Sequence, residues 1–147
     1  MLFRSTFSSL ETLAWSLPHS RYPVCPIIPA RKGWMYAQLF AWENGSPEAL
    51  TEELNITPEE LVSLITQPTV FFGPGLPLFS QQLQGMLQQD CVLLPGNFNL
   101  PRADCLTELA YHAWRAGGGL QPHEMQPHYL GPSQAEINWK RMKLKAQ

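Results

Sequence analysis

The fourteen residues from Ile27 to Phe40 constrain this chain's fold more than any other stretch. They spell an apolar strand, a basic tight turn and a second strand. Arg31-Lys32 forms the tip and Gly33 closes it, supplying the positive φ that a hairpin turn often needs. After the turn, Trp34, Tyr36, Gln38 and Phe40 alternate with Met35, Ala37, Leu39 and Ala41. Both sets are largely apolar, so the strand is expected to be covered on both faces and to lie centrally in its sheet.

Elements on both sides of the hairpin can be placed by the same logic. Residues 7–17 carry a helical stripe of Leu10, Leu13, Ala14 and Leu17, capped by Ser8 or Ser9 and stopped at Pro18. The hairpin strands are expected over 24–30 and 34–43, and a third extended piece near 48–55. Thr57-Pro58-Glu59-Glu60 has the cap, the first-position proline and the early acids of a helix start. That helix is predicted to end near Gln67, with Leu61, Leu64 and Ile65 inward. Thr69–Phe72 and Cys91–Leu94 are two short apolar strands. A helix over 77–89, with Leu78, Leu83, Met86 and Leu87 inward, separates them. A last helix spans Ala103–Ala116 with Leu106, Leu109, Ala110, Ala113 and Trp114 inward, and Gly117–Gly119 end it. The fold class is therefore α/β: a mixed sheet with an antiparallel hairpin plus parallel βαβ crossovers.

At 147 residues the chain has the length of one domain. Fourteen prolines and ten glycines imply many short elements. Only 15% of residues are charged and the net charge is −2, so no global basic field points to nucleic acid. The weakly charged surface suits contact with another protein. Cys25, Cys91 and Cys105 are widely spaced and odd in number, which argues against a disulfide framework and for a reducing, cytoplasmic setting. No run of about 18 apolar residues occurs, so no membrane contact is expected.

Chemistry-bearing motifs are sparse. Gly73-Pro74-Gly75 could cradle a phosphate, but it lacks a following Lys-Ser/Thr and its proline removes a donor, so a strand-to-helix turn is the expectation. His112, His123 and His128 do not share a face with a partner ligand, and no metal site is expected. Glu52, Glu53, Glu59 and Glu60 are taken as solvated. Arg31 and Lys32 could grip a phosphate or an acidic partner, or simply form an exposed hairpin tip. After Gly119 the composition shifts. Residues 120–139 hold isolated Tyr129, Leu130, Ile137 and Trp139, as in a tail ordered by docking, and Lys140, Arg141, Lys143 and Lys145 form a fraying basic end.

Three segments resemble one family. Phe7-Ser8-Ser9-Leu10-Glu11-Thr12-Leu13-Ala14, Pro26–Ala37 and Pro127–Glu136 are similar, in order and spacing, to motifs of the bacterial tRNA threonylcarbamoyladenosine biosynthesis family TsaB (YeaZ). That family is a glycopeptidase-like branch of the actin/Hsp70/sugar-kinase superfamily. The resemblance covers the family's C-terminal lobe. It implies a truncated ribonuclease H-like lobe over residues 1–119, with 7–17 as the interlobe helix and 120–147 as a docking tail. The family's Asp-Thr-Ser start and its Gly-rich segment have no counterpart here. Pro29, Trp34 and Gly131 stand where the family has Asp, Glu and Arg.

The resemblance further implies a non-catalytic scaffold, with no catalytic residue, metal or cofactor. Its partners would be a related catalytic threonylcarbamoyl transferase subunit and an associated ATPase, in the complex that modifies adenosine 37 of certain tRNAs. tRNA would be met only indirectly, and self-association as a homodimer stays open. Arg31, Lys32, Tyr129, Leu130, Glu136 and Trp139 are the candidate contact residues. A metal-dependent glycopeptidase-like enzyme and a degenerate C-lobe without independent function are the alternatives.

Overall fold

The computed structural model describes residues 7–94 and 96–119. In chain order the elements are α1 (Ser9–Ala14), β1 (Val24–Pro29), β2 (Met35–Ala37), β3 (Phe40–Glu43), β4 (Ser46–Ala49), β5 (Leu54–Ile56), α2 (Pro58–Val62), β6 (Thr69–Phe72), α3 (Leu76–Leu87), β7 (Cys91–Leu93) and α4 (Ala103–Arg115).

β1 is the axis of one mixed sheet. On one edge it pairs antiparallel with β2 and β3; on the other it pairs parallel with β6, which pairs parallel with β7. α3 lies in the connection between β6 and β7. The hairpin turn carries bonds from the Ala30 N–H to the Trp34 carbonyl (3.0 Å) and from the Trp34 N–H to the Arg31 carbonyl (2.8 Å). Gly33 adopts a φ of 78°.

The strand expected over 34–43 is interrupted. Ile27–Ala37, Pro29–Met35 and Val24–Phe40 keep one antiparallel register, so β2 and β3 are two parts of one line broken at Gln38-Leu39. By that register Pro26 faces Gln38, and a proline has no N–H to give to the ladder. The outer neighbour is out of step at the same place. Ala49 pairs Phe40, whereas Leu54 pairs Ala37, so the outer strand carries two extra residues and bulges over 50–53. Thr51 stitches the bulge to the break. Gln38 Nε2 donates to its carbonyl at 2.9 Å, and the Leu39 N–H donates to its Oγ1 at 3.1 Å. Gln38 is therefore a buried polar side chain with a partner.

Alternation sorts the sheet into two faces. Cys25, Ile27, Met35, Ala37, Leu39 and Phe71 pack with Leu61 of α2 and with Leu76, Phe79 and Leu83 of α3. Val24, Phe40 and Phe72 pack with Leu10, Leu13 and Ala14 of α1. The hairpin is covered on both sides, as its two apolar sets require.

The helices rotate away from their expected faces. α2 ends at Val62 rather than near Gln67, so Leu64 leaves the line of Leu61 and is exposed. α3 buries Leu76, Phe79 and Leu83, and Leu78 and Met86 point outward. α4 buries Cys105 and Leu109, leaving Leu106 and Trp114 exposed. Each apolar stripe was wide enough to allow two rotations, and packing chose between them.

α2 opens with a reciprocal capping box. The Thr57 hydroxyl accepts from the Glu60 N–H, and the Glu60 carboxylate accepts from the Thr57 N–H at 2.9 Å. Thr57→Ala is expected to cost about 1 kcal/mol, read as a lower urea midpoint at unchanged slope.

Candidate functional site

Of the six candidate contact residues, Arg31 and Lys32 lie in the described structure; Tyr129, Leu130, Glu136 and Trp139 lie outside the described residues. Arg31 and Lys32 stand together, exposed, on the tip between β1 and β2. The Arg31 guanidinium lies over the Trp34 ring, 4.3 Å from its centroid. The contact places the positive charge over the face of the indole ring.

Gly73-Pro74-Gly75 is a strand-to-helix turn whose donors point into the protein. The Gly75 N–H donates to the Ile27 carbonyl at 2.9 Å and the Leu76 N–H to the Gly73 carbonyl at 3.0 Å. These amides are engaged with the backbone and do not form an anion cradle.

A cleft of about 350 Å³, marked by no local sequence pattern, lies between α1 and the strands β3 and β4, lined by Ser8, Glu11, Gln38, Phe40, Pro47, Glu48, Ala49 and Glu53. The bulge over 50–53 carries Glu53 into it. Ser8 caps α1 by accepting from the Leu10 N–H at 3.2 Å, and its hydroxyl also donates to the Glu53 carboxylate. Glu53 is not among the solvated acids; it is half-buried beside Phe40 and Pro47. Burial first, and the nearby Glu53 charge second, push the Glu11 carboxyl above its ordinary value. No spacing rule could have joined Glu11 to Glu53 across 42 residues.

A raised pKa has a definite sign. Its stabilising contribution is full below the unfolded pKa and is lost as pH rises through the folded one, so ionised Glu11 weakens the fold at neutral pH. Glu11→Gln is expected to raise the thermal midpoint at pH 7. Solvent screening on its open side limits the gain to a few tenths of a kcal/mol, about 1–2 °C. The gain should vanish near pH 4. A lower midpoint at pH 7 would show that Glu11 is stabilised by a partner.

A second group of side chains forms at the outer end of α1. Trp15 meets Trp42 edge to face at 5.5 Å, His112 lies 4.9 Å from Trp15, and His19 lies 5.7 Å from Trp42. This packing ties α4 to α1. The indole N–H groups of Trp15 and Trp42 are buried and bond to no described protein group.

Cys25, Cys91 and Cys105 are all free thiols. Full burial pushes Cys25 up to about 12, and burial also raises Cys91 and Cys105. None carries the lowered pKa of an activated nucleophile. Among the described residues no three His, Cys, Asp or Glu side chains converge as metal ligands, and no helix is long and apolar enough to cross a membrane.

The chain is similar to the tRNA threonylcarbamoyladenosine biosynthesis protein TsaB of Bacillus subtilis (strain 168): 28% identical over 138 residues, covering 92% of this chain and 58% of that protein. It thus spans a little over half the length of that relative. Its fold is that of two structures from Pseudomonas aeruginosa. One is an uncharacterised protein with similarity to peptidase YEAZ (TM-score 0.69, 23% identity, covering 85% of this chain and 57% of that one). The other is YeaZ (TM-score 0.67, 24% identity, covering 84% and 57%). No model of a protein family matches the chain. The resemblance seen in the sequence motifs thus recurs over most of the chain and in its mixed α/β fold.

Proposed function

We propose that this chain acts in threonylcarbamoyladenosine modification of tRNA as a non-catalytic scaffold, and that it corresponds to the C-terminal, ribonuclease H-like lobe of a fold of the actin/Hsp70/sugar-kinase type. The observation that carries this reading is the similarity to TsaB along 138 residues. The three cysteine thiols, all raised by burial, are not activated as nucleophiles. The basic tip has the chemistry to take an acidic patch of a transferase subunit or of its ATPase. Arg31, held by Trp34, would enter such a contact with little further ordering cost.

The test is capture of the purified transferase subunit and ATPase by this chain at micromolar concentration, with full-length Bacillus subtilis TsaB as the positive control. Binding is expected, and Arg31→Glu with Lys32→Glu should weaken it about tenfold, a change of about 1.4 kcal/mol. No capture alongside a working control would overturn the scaffold reading. Modified nucleoside formed from tRNA and a threonylcarbamoyl donor by this chain alone, measured by mass spectrometry, would overturn its non-catalytic part.

A further inference from the structure

We propose that α3 carries a self-association surface: its outward side, centred on Gly85, packs against the same side of a second copy of this chain across a two-fold axis. This does not depend on a role in tRNA modification.

From Leu61 to Gln89 the chain holds no Asp, Glu, Lys, Arg or His, although 15% of the whole sequence is charged. Buried β6 lies in that run and has no use for charge. The whole of α3 lies in it too. A surface helix normally sets charged residues opposite its buried stripe. α3 buries Leu76, Phe79 and Leu83, and it turns Leu78, Gln81, Gln82, Gly85 and Met86 outward. Leu78 is 69% exposed and Met86 38%. Lost charge together with an exposed leucine and methionine is the composition of the inner part of a protein interface.

Gly85 points the same way. It stands inside α3 without a positive φ, and a side-chain carbon added there would meet nothing within 4 Å. Nothing in the single chain requires a glycine at this position, and glycine is the poorest helix former after proline. What it gives an exposed helix is close approach by a neighbour. Packed helices lie about 8–10 Å apart according to the side chains between them, and a glycine at the crossing point gives the near end of that range.

Electrostatics selects a second copy as that neighbour. The described residues hold Arg21, Arg31, Lys32, Arg102 and Arg115 against ten Asp and Glu, so two copies carry like net charge. The uncharged side of α3 is where they can meet without opposing carboxylates. At its border with α2, Glu59 accepts from Gln82 Nε2 at 2.6 Å. A glutamine amide carries both donors and an acceptor, so Gln81 is its own complement, as a two-fold interface demands. A strongly charged partner would find no opposite charge here. α3 is about 18 Å long. Crossing two such helices buries less than the roughly 1,200 Å² of a standard interface, so the dimer is weak, with a dissociation constant on the order of 10–100 μM.

Sedimentation velocity on the full chain, from about 5 to about 500 μM, is expected to show a monomer–dimer equilibrium. Gly85→Leu fills the gap at the crossing, and Leu78→Glu opposes two like charges. Each should raise the dissociation constant at least tenfold with unchanged circular dichroism, since position 85 is open and Leu78 is exposed. Gly85→Ala, in the monomer at about 5 μM, should raise the thermal midpoint by about 2–4 °C. A lower midpoint would show that the glycine serves the single chain and would overturn the proposal. A monomer at every concentration, a dimer that neither Gly85→Leu nor Leu78→Glu weakens, or growth beyond a dimer would also overturn it.

Discussion

Gly73→Ala is expected to destabilise the protein by about 3 kcal/mol or more. Two independent effects converge there. The residue has a φ of 105°, a conformation that side-chain-bearing residues hold only at a cost of about 1–3 kcal/mol. The added carbon would also stand 2.6 Å from the Ile27 carbonyl oxygen and 3.2 Å from the Ile27 nitrogen. Both atoms belong to the backbone of β1, the axis of the sheet, so relief requires moving a strand and adds about 1–3 kcal/mol of overpacking. Gly33→Ala separates the two effects. Its φ is 78°, but nothing lies within 4 Å of the added carbon, so it should lose only the conformational part, about 1–2 kcal/mol. Urea unfolding of both variants checks this. Equal losses would mean that the approach to Ile27 contributes nothing.

Phe71→Ala is the second large effect, expected at about 3–5 kcal/mol. Phe71 is fully buried at the centre of β6, paired with Cys25 of β1 on one side and Leu93 of β7 on the other. Its ring packs in the cluster that holds Leu76, Phe79 and Leu83 of α3. Truncation leaves a cavity walled by three strands and a helix, a site with little freedom to collapse. Against a total stability of about 5–15 kcal/mol, this is a large fraction. The check is a fall in the urea midpoint, with the parallel loss of slow amide exchange along β6. Phe71→Leu should recover most of the loss; a loss under about 1 kcal/mol for alanine would show that the core around α3 is loosely packed.

Much of the fold was legible because its signals are local. The alternation over 34–41 declared two covered faces, and both clusters are there. Thr57 and Glu60 sit three residues apart and make the box their spacing announces. Ser8 caps α1, and Gly33 takes its positive φ. Leu64 is exposed because α2 ends before it, whereas Leu78, Met86, Leu106 and Trp114 are exposed for one shared reason. A stripe of apolar residues records their positions relative to one another along a helix, not the direction in which the sheet lies. The break at Gln38-Leu39 was hidden as well, because it depends on Pro26 opposite and on two extra residues in the outer strand.

The candidate site divides in the same way. The basic tip was visible because Arg31, Lys32 and Gly33 are adjacent. The stacking of Arg31 on Trp34 was not, although a hairpin places the two within reach. The cleft with Ser8, Glu11, Glu48 and Glu53 joins α1 to strands more than thirty residues away, and Glu53 reaches it only through the bulge.

The sequence by itself determined the order of helices and strands, the capped start of α2, and that the Ile27–Phe40 hairpin would be covered on both sides. These follow from periodicity, capping and turn chemistry acting over a few residues. Tertiary structure alone decided which flank of each helix is buried, where the long strand breaks and which acids share a cleft. Those outcomes depend on the register of strands far apart in the chain, and a slip in that register leaves every local pattern unchanged.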